Sequence, residues 1–275
     1  MDNSRLTNEE FLKSLLETGG YTTPDSRRPA RPPKASIGES FRYAATIIGL
    51  VLRCVVRFVQ RRFNYDVWQR NAFRSVAFAE RAGALVKIDG FDKSKFANGP
   101  VVFVMNHMST LETMVAPALI IPFSEISIVL KESLDRIPFV GKAARSVGSI
   151  AVSRKNARED LKTVLTEGMK RIRDGKSVLL YPQGTRQAVF DHKRFNSLGA
   201  KLAERAGVPL VPIAVRTDIL QTGKLIRDFG AVDPSRPLLV SCGDPIPVEV
   251  GAREMHERSL KFIMDKLREW GLETV

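Results

Sequence analysis

The sequence predicts an α/β fold in which helices cover both faces of a central sheet. Short apolar runs rich in β-branched residues recur at 84–88, 101–105, 126–130, 149–152, 177–181, 210–215 and 237–242. Stretches with helical periodicity separate several of them, most clearly 156–174, 196–206 and 252–270, and such alternation is the mark of a layered α/β domain. A chain of 275 residues with 44% apolar content can bury a sizeable core. The sequence contains no internal repeat and no low-complexity tract.

Residues 1–40 read as a separate, mobile basic leader. Within it, 7–18 predicts a short helix with Thr7 as N-cap, Glu10 three residues on as in a capping box, and Gly19-Gly20 as the stop. Residues 22–36, rich in Pro, Arg and Ser, read as a linker. The stretch 41–63 predicts an amphipathic helix. At about 100° per residue, Arg42, Arg53, Arg57 and Gln60 share one side, while Ala44, Ile47, Ile48, Val51, Val55, Phe58 and Val59 share the other. Such a helix suits the headgroup layer of a bilayer; it equally suits packing on its own core with a solvated basic face. A second helix over 65–82 carries Trp68, Ala72, Phe73, Val76 and Ala79 on one side, so that 41–83 reads as a helical pair for membrane docking and 84–275 as the main domain. The longest apolar stretch near the front, Ala44 to Leu52, is broken by Thr46 and Gly49 and falls short of the roughly 20 residues a spanning helix needs. No signal peptide is visible.

The net charge of +13 and pI near 10 call for an anionic partner: nucleic acid, an anionic membrane or a phosphorylated substrate. No zinc-finger spacing, RNP-like motif or P-loop is present, so charge alone does not select nucleic acid. Two cysteines, Cys54 and Cys242, argue against a disulfide scaffold and fit a reducing compartment. Cys242 ends an apolar run with no histidine near it in sequence, which argues against a nucleophile. His192 and His256 lie in polar surroundings and read as surface residues, and no close pair of His or Cys indicates a metal site.

Two segments carry the chemistry. Asn106-His107-Met108-Ser109-Thr110-Leu111-Glu112 follows an apolar run, and Tyr181-Pro182-Gln183-Gly184-Thr185-Arg186 follows another. A spacing of five turns about 500° on one continuous helix, so His107 and Glu112 meet only if His107 sits in the turn before a helix and Glu112 in its first turn. Ser109 as N-cap gives that geometry. The same Ser109-x-x-Glu112 spacing is also an ordinary capping box. Arg186 offers a planar fork for a phosphate, and Gly184 allows close backbone approach.

These segments resemble the signature blocks of the 1-acyl-glycerol-3-phosphate acyltransferase family, which read N-H-x-x-x-x-D and F/Y-P-E-G-T-R. Gly148 to Arg154 is similar to the family's G-x-x-x-x-x-R block, Val211-Pro212-Ile213-Ala214-Val215 to its V-P-I strand, and Lys131-Glu132-Ser133-Leu134 with Ile137 to Gly141 to a further block. The five occur in family order over about residues 84–245. The chain departs at Glu112, where the family has Asp, and at Gln183, where it has Glu. The related lipid A late acyltransferases use Glu at the first position.

The resemblance implies a central mixed sheet flanked by helices, with the N-terminal amphipathic pair in front. It implies His107 as general base with Glu112 holding its imidazole, and Lys131, Arg154, Gly184, Thr185 and Arg186 as substrate-binding groups. The implied reaction moves a fatty acyl group from a thioester, acyl-CoA or acyl carrier protein, to the hydroxyl of 1-acyl-glycerol-3-phosphate. No cofactor and no metal is called for. The implied partners are membrane lipids, the lysophospholipid and the donor, not nucleic acid, and the expected location is the cytoplasmic face of a membrane. Gln183 replaces an acceptor-only carboxylate with an amide that can also donate; if the family's Glu orients an active-site cation, that cation is less restrained here. Acylation of another lysolipid (a lyso-ornithine lipid or lipid A precursor) and a non-catalytic lipid-binding role are the alternatives.

Overall fold

In a computed structural model, which describes residues 5–30, 35–223 and 230–275, the described residues form an eight-stranded sheet. The first strand, β1 (Tyr21–Thr22), has no apolar run to announce it. The other seven are the runs read from the sequence: β2 (Val86–Asp89), β3 (Val102–Met105), β4 (Ile126–Lys131), β5 (Ile150–Val152), β6 (Ser177–Leu180), β7 (Leu210–Arg216) and β8 (Leu238–Cys242). Their spatial order is β1-β2-β8-β7-β3-β6-β4-β5. β1 lies antiparallel on β2 and β8 antiparallel to β7, while the remaining pairs are parallel, so the sheet is mixed. The parallel block β7-β3-β6-β4-β5 presents the C-terminal ends of its strands at one edge, where loops collect ligands.

Side chains alternate across these strands. Phe103, Met105, Leu179, Val211 and Ile213 enter one core, and Val102, Val104, Val178, Leu180 and Ala214 the other. The first core is closed by α1 (Asn8–Thr18), α2 (Ile37–Val59), α3 (Tyr65–Arg81) and α4 (Leu111–Ile120). After the short α5 (Glu132–Asp135) and α6 (Val140–Ser146), the second core is closed by α7 (Ala157–Arg173), α8 (Leu198–Ala206) and α9 (Gly251–Glu269).

The front of the chain differs from its sequence reading. α1 forms where expected, with the Thr7 side chain accepting from Glu10 N and Gly19 in the left-handed conformation. Its residues are not a separate leader, however. Phe11 and Leu15 are fully buried, Leu6 and Tyr21 nearly so, and Arg27 pairs with Glu10 and Glu80. One face of α1 is apolar enough to dock on the sheet, and β1 then adds to its edge. The predicted linker 22–36 contains a 3₁₀ turn at Asp25–Arg27; residues 31–34 lie outside the described residues.

α2 starts earlier than 41 because the Ser36 side chain caps it by accepting from Glu39 N. It stops before 63 because Arg61 turns into the left-handed region, φ 55°, and Arg62 N reaches back to Arg57 O. That closure is usually made with glycine, so the sequence carried no stop signal. The predicted apolar face splits. Ile47 joins Tyr43 and Leu50 against the body, whereas Ile37, Phe41, Ile48, Leu52, Val56 and Val59 stay exposed. These six fall within an arc of about 100°, with Arg42 and Arg53 beside them. α3 is not a docking partner of equal standing. Phe73, Val76, Phe78 and Ala79 are buried, making it a core helix between α2 and α4. Among the described residues no helix is long and apolar enough to cross a membrane.

Candidate active site

His107 stands just past β3, on a loop that must leave the sheet edge before α4 begins. Asn106 fixes the exit, since its side chain both donates to Val215 O at 2.9 Å and accepts from Val215 N at 2.7 Å on neighbouring β7. α4 begins at Leu111 with Thr110 as its cap, one residue later than the Ser109 cap expected from sequence. The Ser109 hydroxyl still accepts from Leu111 N. This turn brings Glu112 back over the loop, and its Oε1 meets His107 Nδ1 at 2.8 Å.

Glu112 is 1% exposed, yet its carboxylate is fully engaged. Oε1 also accepts from Met108 N at 2.7 Å and Ser109 N at 2.8 Å, and Oε2 from the hydroxyls of Ser109 at 2.9 Å and Thr217 at 2.6 Å. Burial pushes the carboxyl up, but the hydrogen bond and charge of His107 and the bond from Thr217 outweigh it, holding the group below its usual range. The helix-capping and histidine-partner readings are therefore both realised by one side chain. An ionised Glu112 accepts the Nδ1–H, which leaves Nε2 as the basic nitrogen. The Tyr181 ring packs on the imidazole at 4.6 Å between centroids. The phenol is pushed well above its normal range by burial and by the Glu112 charge.

The loop after adjacent β6 clasps His107 from the other side. His107 N donates to Gln183 Oε1 at 2.6 Å, and Gln187 N donates to His107 O at 2.9 Å. An N–H can only donate, so the Gln183 oxygen must face His107, and its amide nitrogen then donates to Gln187 Oε1 at 2.6 Å. Gln183 thus positions the histidine backbone. Gly184 has φ 68°, and this positive φ rather than crowding explains glycine, since a Cβ there would meet nothing within 4 Å. Its N–H is taken by Tyr181 O, so it is not a donor for a substrate oxygen. Arg186 reaches across to donate from Nη1 to the Thr110 hydroxyl, joining the two motif loops.

The other predicted residues share the same edge. Lys131 ends β4, and Arg154 lies just past β5. At about 4.8 Å per strand, they sit roughly 10 and 14 Å from the β3 terminus along the sheet. Arg154 takes a positive φ of 58°, with its N–H bound by Asp160 of α7 at 2.8 Å. Its guanidinium is held below its usual range by partial burial and by the like charge of Arg186. Beside it is a cavity of about 490 Å³ whose wall includes Val129, Val152, Leu161 and Leu180 and whose rim includes Arg154 and Lys201. An apolar wall with a cationic rim suits an amphiphile. Thr185 is half-buried in the same loop.

Thr217 and Gln187 were missed by sequence reading. Thr217 follows the V-P-I strand but carries no local signal, because its partner is 105 residues away. Cys242 lies off the site. It ends β8 opposite Ile213 in the middle of β7, two strands from β3, and is buried in the first core with its thiol pushed up to about 12 by burial. Among the described residues no three His, Cys, Asp or Glu side chains cluster as metal ligands would.

Residues 86–216 match the family model described as Acyltransferase. The chain is 31% identical over 153 residues to the 1-acyl-sn-glycerol-3-phosphate acyltransferase of Pseudomonas aeruginosa, covering 56% of this chain and 58% of that one. It is 26% identical over 237 residues to the chloroplastic 1-acyl-sn-glycerol-3-phosphate acyltransferase LPAT1 of Arabidopsis thaliana, covering 82% and 63%. It thus spans less than two thirds of either relative. Its fold is similar to the crystal structure of the 1-acyl-sn-glycerophosphate (LPA) acyltransferase PlsC from Thermotoga maritima, with a TM-score of 0.59 at 17% identity over 84% of this chain and 92% of that one.

Proposed function

We propose that this chain, whose residues 86–216 match the acyltransferase family model, transfers a fatty acyl group from a thioester to the free hydroxyl of 1-acyl-glycerol-3-phosphate, yielding phosphatidate. The observation that carries this reading is the buried His107–Glu112 pair at 2.8 Å; Arg154 and Arg186 lie on the same edge of the sheet. The acceptor phosphate binds between Arg186, Arg154 and Lys131, with Gly184 and Thr185 shaping the loop. Its hydroxyl is then presented to His107 Nε2.

Nε2 takes the hydroxyl proton as the oxygen attacks the thioester carbonyl carbon. Glu112 stabilises the imidazolium so formed. The tetrahedral intermediate collapses with cleavage of the C–S bond, and the departing thiolate receives the proton from His107. An ester and a free thiol result, with atoms and charge balanced and no cofactor required. The donor is acyl-CoA or acyl carrier protein. The exposed stripe of α2, with its flanking arginines, supports docking on the cytoplasmic face of an anionic membrane, where the lysolipid resides.

Turnover of an acyl thioester with lysophosphatidate, followed by mass spectrometry of the lipid product, tests the reading. His107→Ala should lower turnover by at least ~10²-fold with the fold intact; near-normal turnover in that variant would remove the base mechanism.

A further inference from the structure

Of the large apolar side chains that the described residues leave exposed, six lie on α2. Three more, Leu134, Ile137 and Phe139, lie in the connection between β4 and β5, leaving only Val189 and Val275 elsewhere. Each of the three is close to half exposed, at 49%, 45% and 49%. The segment that displays them is held rigidly. Ile137 O accepts from Gly141 N at 3.0 Å, and Phe139 O from Ala143 N at 2.8 Å. Arg136 pairs with Glu132 at 2.7 Å and Arg145 with Asp135 at 2.5 Å. A Cβ at Gly141 would lie 1.7 Å from Asp135 O, so the backbone closes tightly on itself there. Phe139 has φ 62° and ψ −39°, a conformation that bulky residues avoid. The chain thus tolerates backbone strain where it turns an aromatic side chain toward solvent.

This segment adjoins the exposed stripe. Phe139 and Lys142 face Phe58, Val59, Arg61 and Phe63 across a groove of about 470 Å³ at the end of α2. Its charge is one-sided. Glu132 and Asp135 are already paired, while Lys131, Lys142, Arg61 and Arg62 are exposed around it. An apolar tip inside a cationic collar, continuous with an amphipathic helix, complements the surface of an anionic bilayer.

We propose that residues 132–141 form a second, rigid membrane-insertion element, which puts Leu134, Ile137 and Phe139 into the acyl boundary beside α2. Lys131 immediately precedes it, so insertion holds the Lys131 side of the acceptor site at headgroup depth. The loop thereby governs access of bilayer-embedded acceptor and leaves chemistry on a dispersed acceptor alone. The proposal rests on the reading of the chain as a lysophospholipid acyltransferase.

The test uses the full chain and vesicles of phosphatidylcholine with about one-third phosphatidylglycerol, an anionic composition of the kind that attracts basic collars. The combined variant Leu134→Ser, Ile137→Ser, Phe139→Gly changes exposed positions only, and glycine relieves the strained φ at 139. It should lower the vesicle partition coefficient by about 10²-fold, from three half-exposed side chains no longer buried. The Michaelis constant for bilayer-embedded acceptor should rise, while turnover of a short-chain soluble acceptor stays at the wild-type value. An environment-sensitive fluorophore on Ile137→Cys should shift to the blue on these vesicles. Unchanged partitioning in the combined variant, or a fluorophore that stays in water, overturns the proposal. So does a fluorophore that answers to soluble acyl carrier protein but not to vesicles, which would make the loop a protein-docking surface. Absence of any wild-type turnover on the soluble acceptor would instead remove the underlying acyltransferase reading, whatever the partitioning.

Discussion

Replacing Glu112 with Gln removes a charge while keeping the shape, and the hydrogen-bond geometry says how the amide will settle. The donors to Oε1 are the imidazole Nδ1–H and the backbone N–H groups of Met108 and Ser109, which cannot become acceptors. At Oε2 the Ser109 and Thr217 hydroxyls can rotate and accept, while the Ser109 N–H, 3.1 Å from Oε2, keeps its shorter 2.8 Å bond to Oε1. The amide nitrogen therefore takes the Oε2 position, and the carbonyl oxygen stays on His107. The imidazole keeps its place and tautomer but loses its counter-charge when it becomes imidazolium. With charge centres about 4 Å apart and an effective dielectric near 20, that is worth about 4 kcal/mol, or roughly a 10³-fold fall in turnover. The assay is release of free thiol from an acyl thioester with a short-chain lysophosphatidate, alongside thermal unfolding. A folded variant within about fivefold of wild type, roughly 1 kcal/mol, would show that Glu112 only caps α4.

The same substitution has a pH signature. The folded Glu112 carboxyl lies below its ordinary value of 4.5. Its contribution to stability is complete above that value and is lost as the pH falls through the lowered folded value. The glutamine does not titrate, so the stability advantage of wild type over Glu112→Gln should shrink below about pH 4.5 and hold steady above it.

Gln183→Glu should be tolerated within about tenfold, because Gln187 can flip its amide to donate to the new carboxylate; Gln183→Leu should cost about 1–3 kcal/mol by stranding the buried His107 N–H, and thermal unfolding with kinetics would separate the two. Arg186→Lys should raise the Michaelis constant for a phosphate acceptor by roughly tenfold or more, because an ammonium lacks the fork that serves Thr110 and a phosphate together. Equal kinetics for phosphate-bearing and phosphate-free lysolipids in wild type would refute that assignment.

Period and composition were enough to read seven strands and most of the long helices, because burial on both faces of a sheet demands continuous apolar runs and burial on one face of a helix demands its own periodicity. Resemblance supplied His107, Glu112, Lys131, Arg154 and Arg186, whose shared edge follows once their strands run parallel. Local sequence did not reveal which side of an amphipathic helix meets the body. Ile47 and Ile48 are equally apolar, and only the packing of α2 against the body, chiefly α3, buries one and exposes the other. Nor did it reveal that residues 5–28 belong to the core, since β1 is two residues long and gains its meaning from pairing with β2. Thr217 on Glu112, and the Gln183–Gln187 clasp on His107, depend on strands that meet only after the chain has folded. A hydrogen bond across 76 or 105 residues leaves no periodicity to read; its geometry is set by the order of β6, β3 and β7 in the sheet.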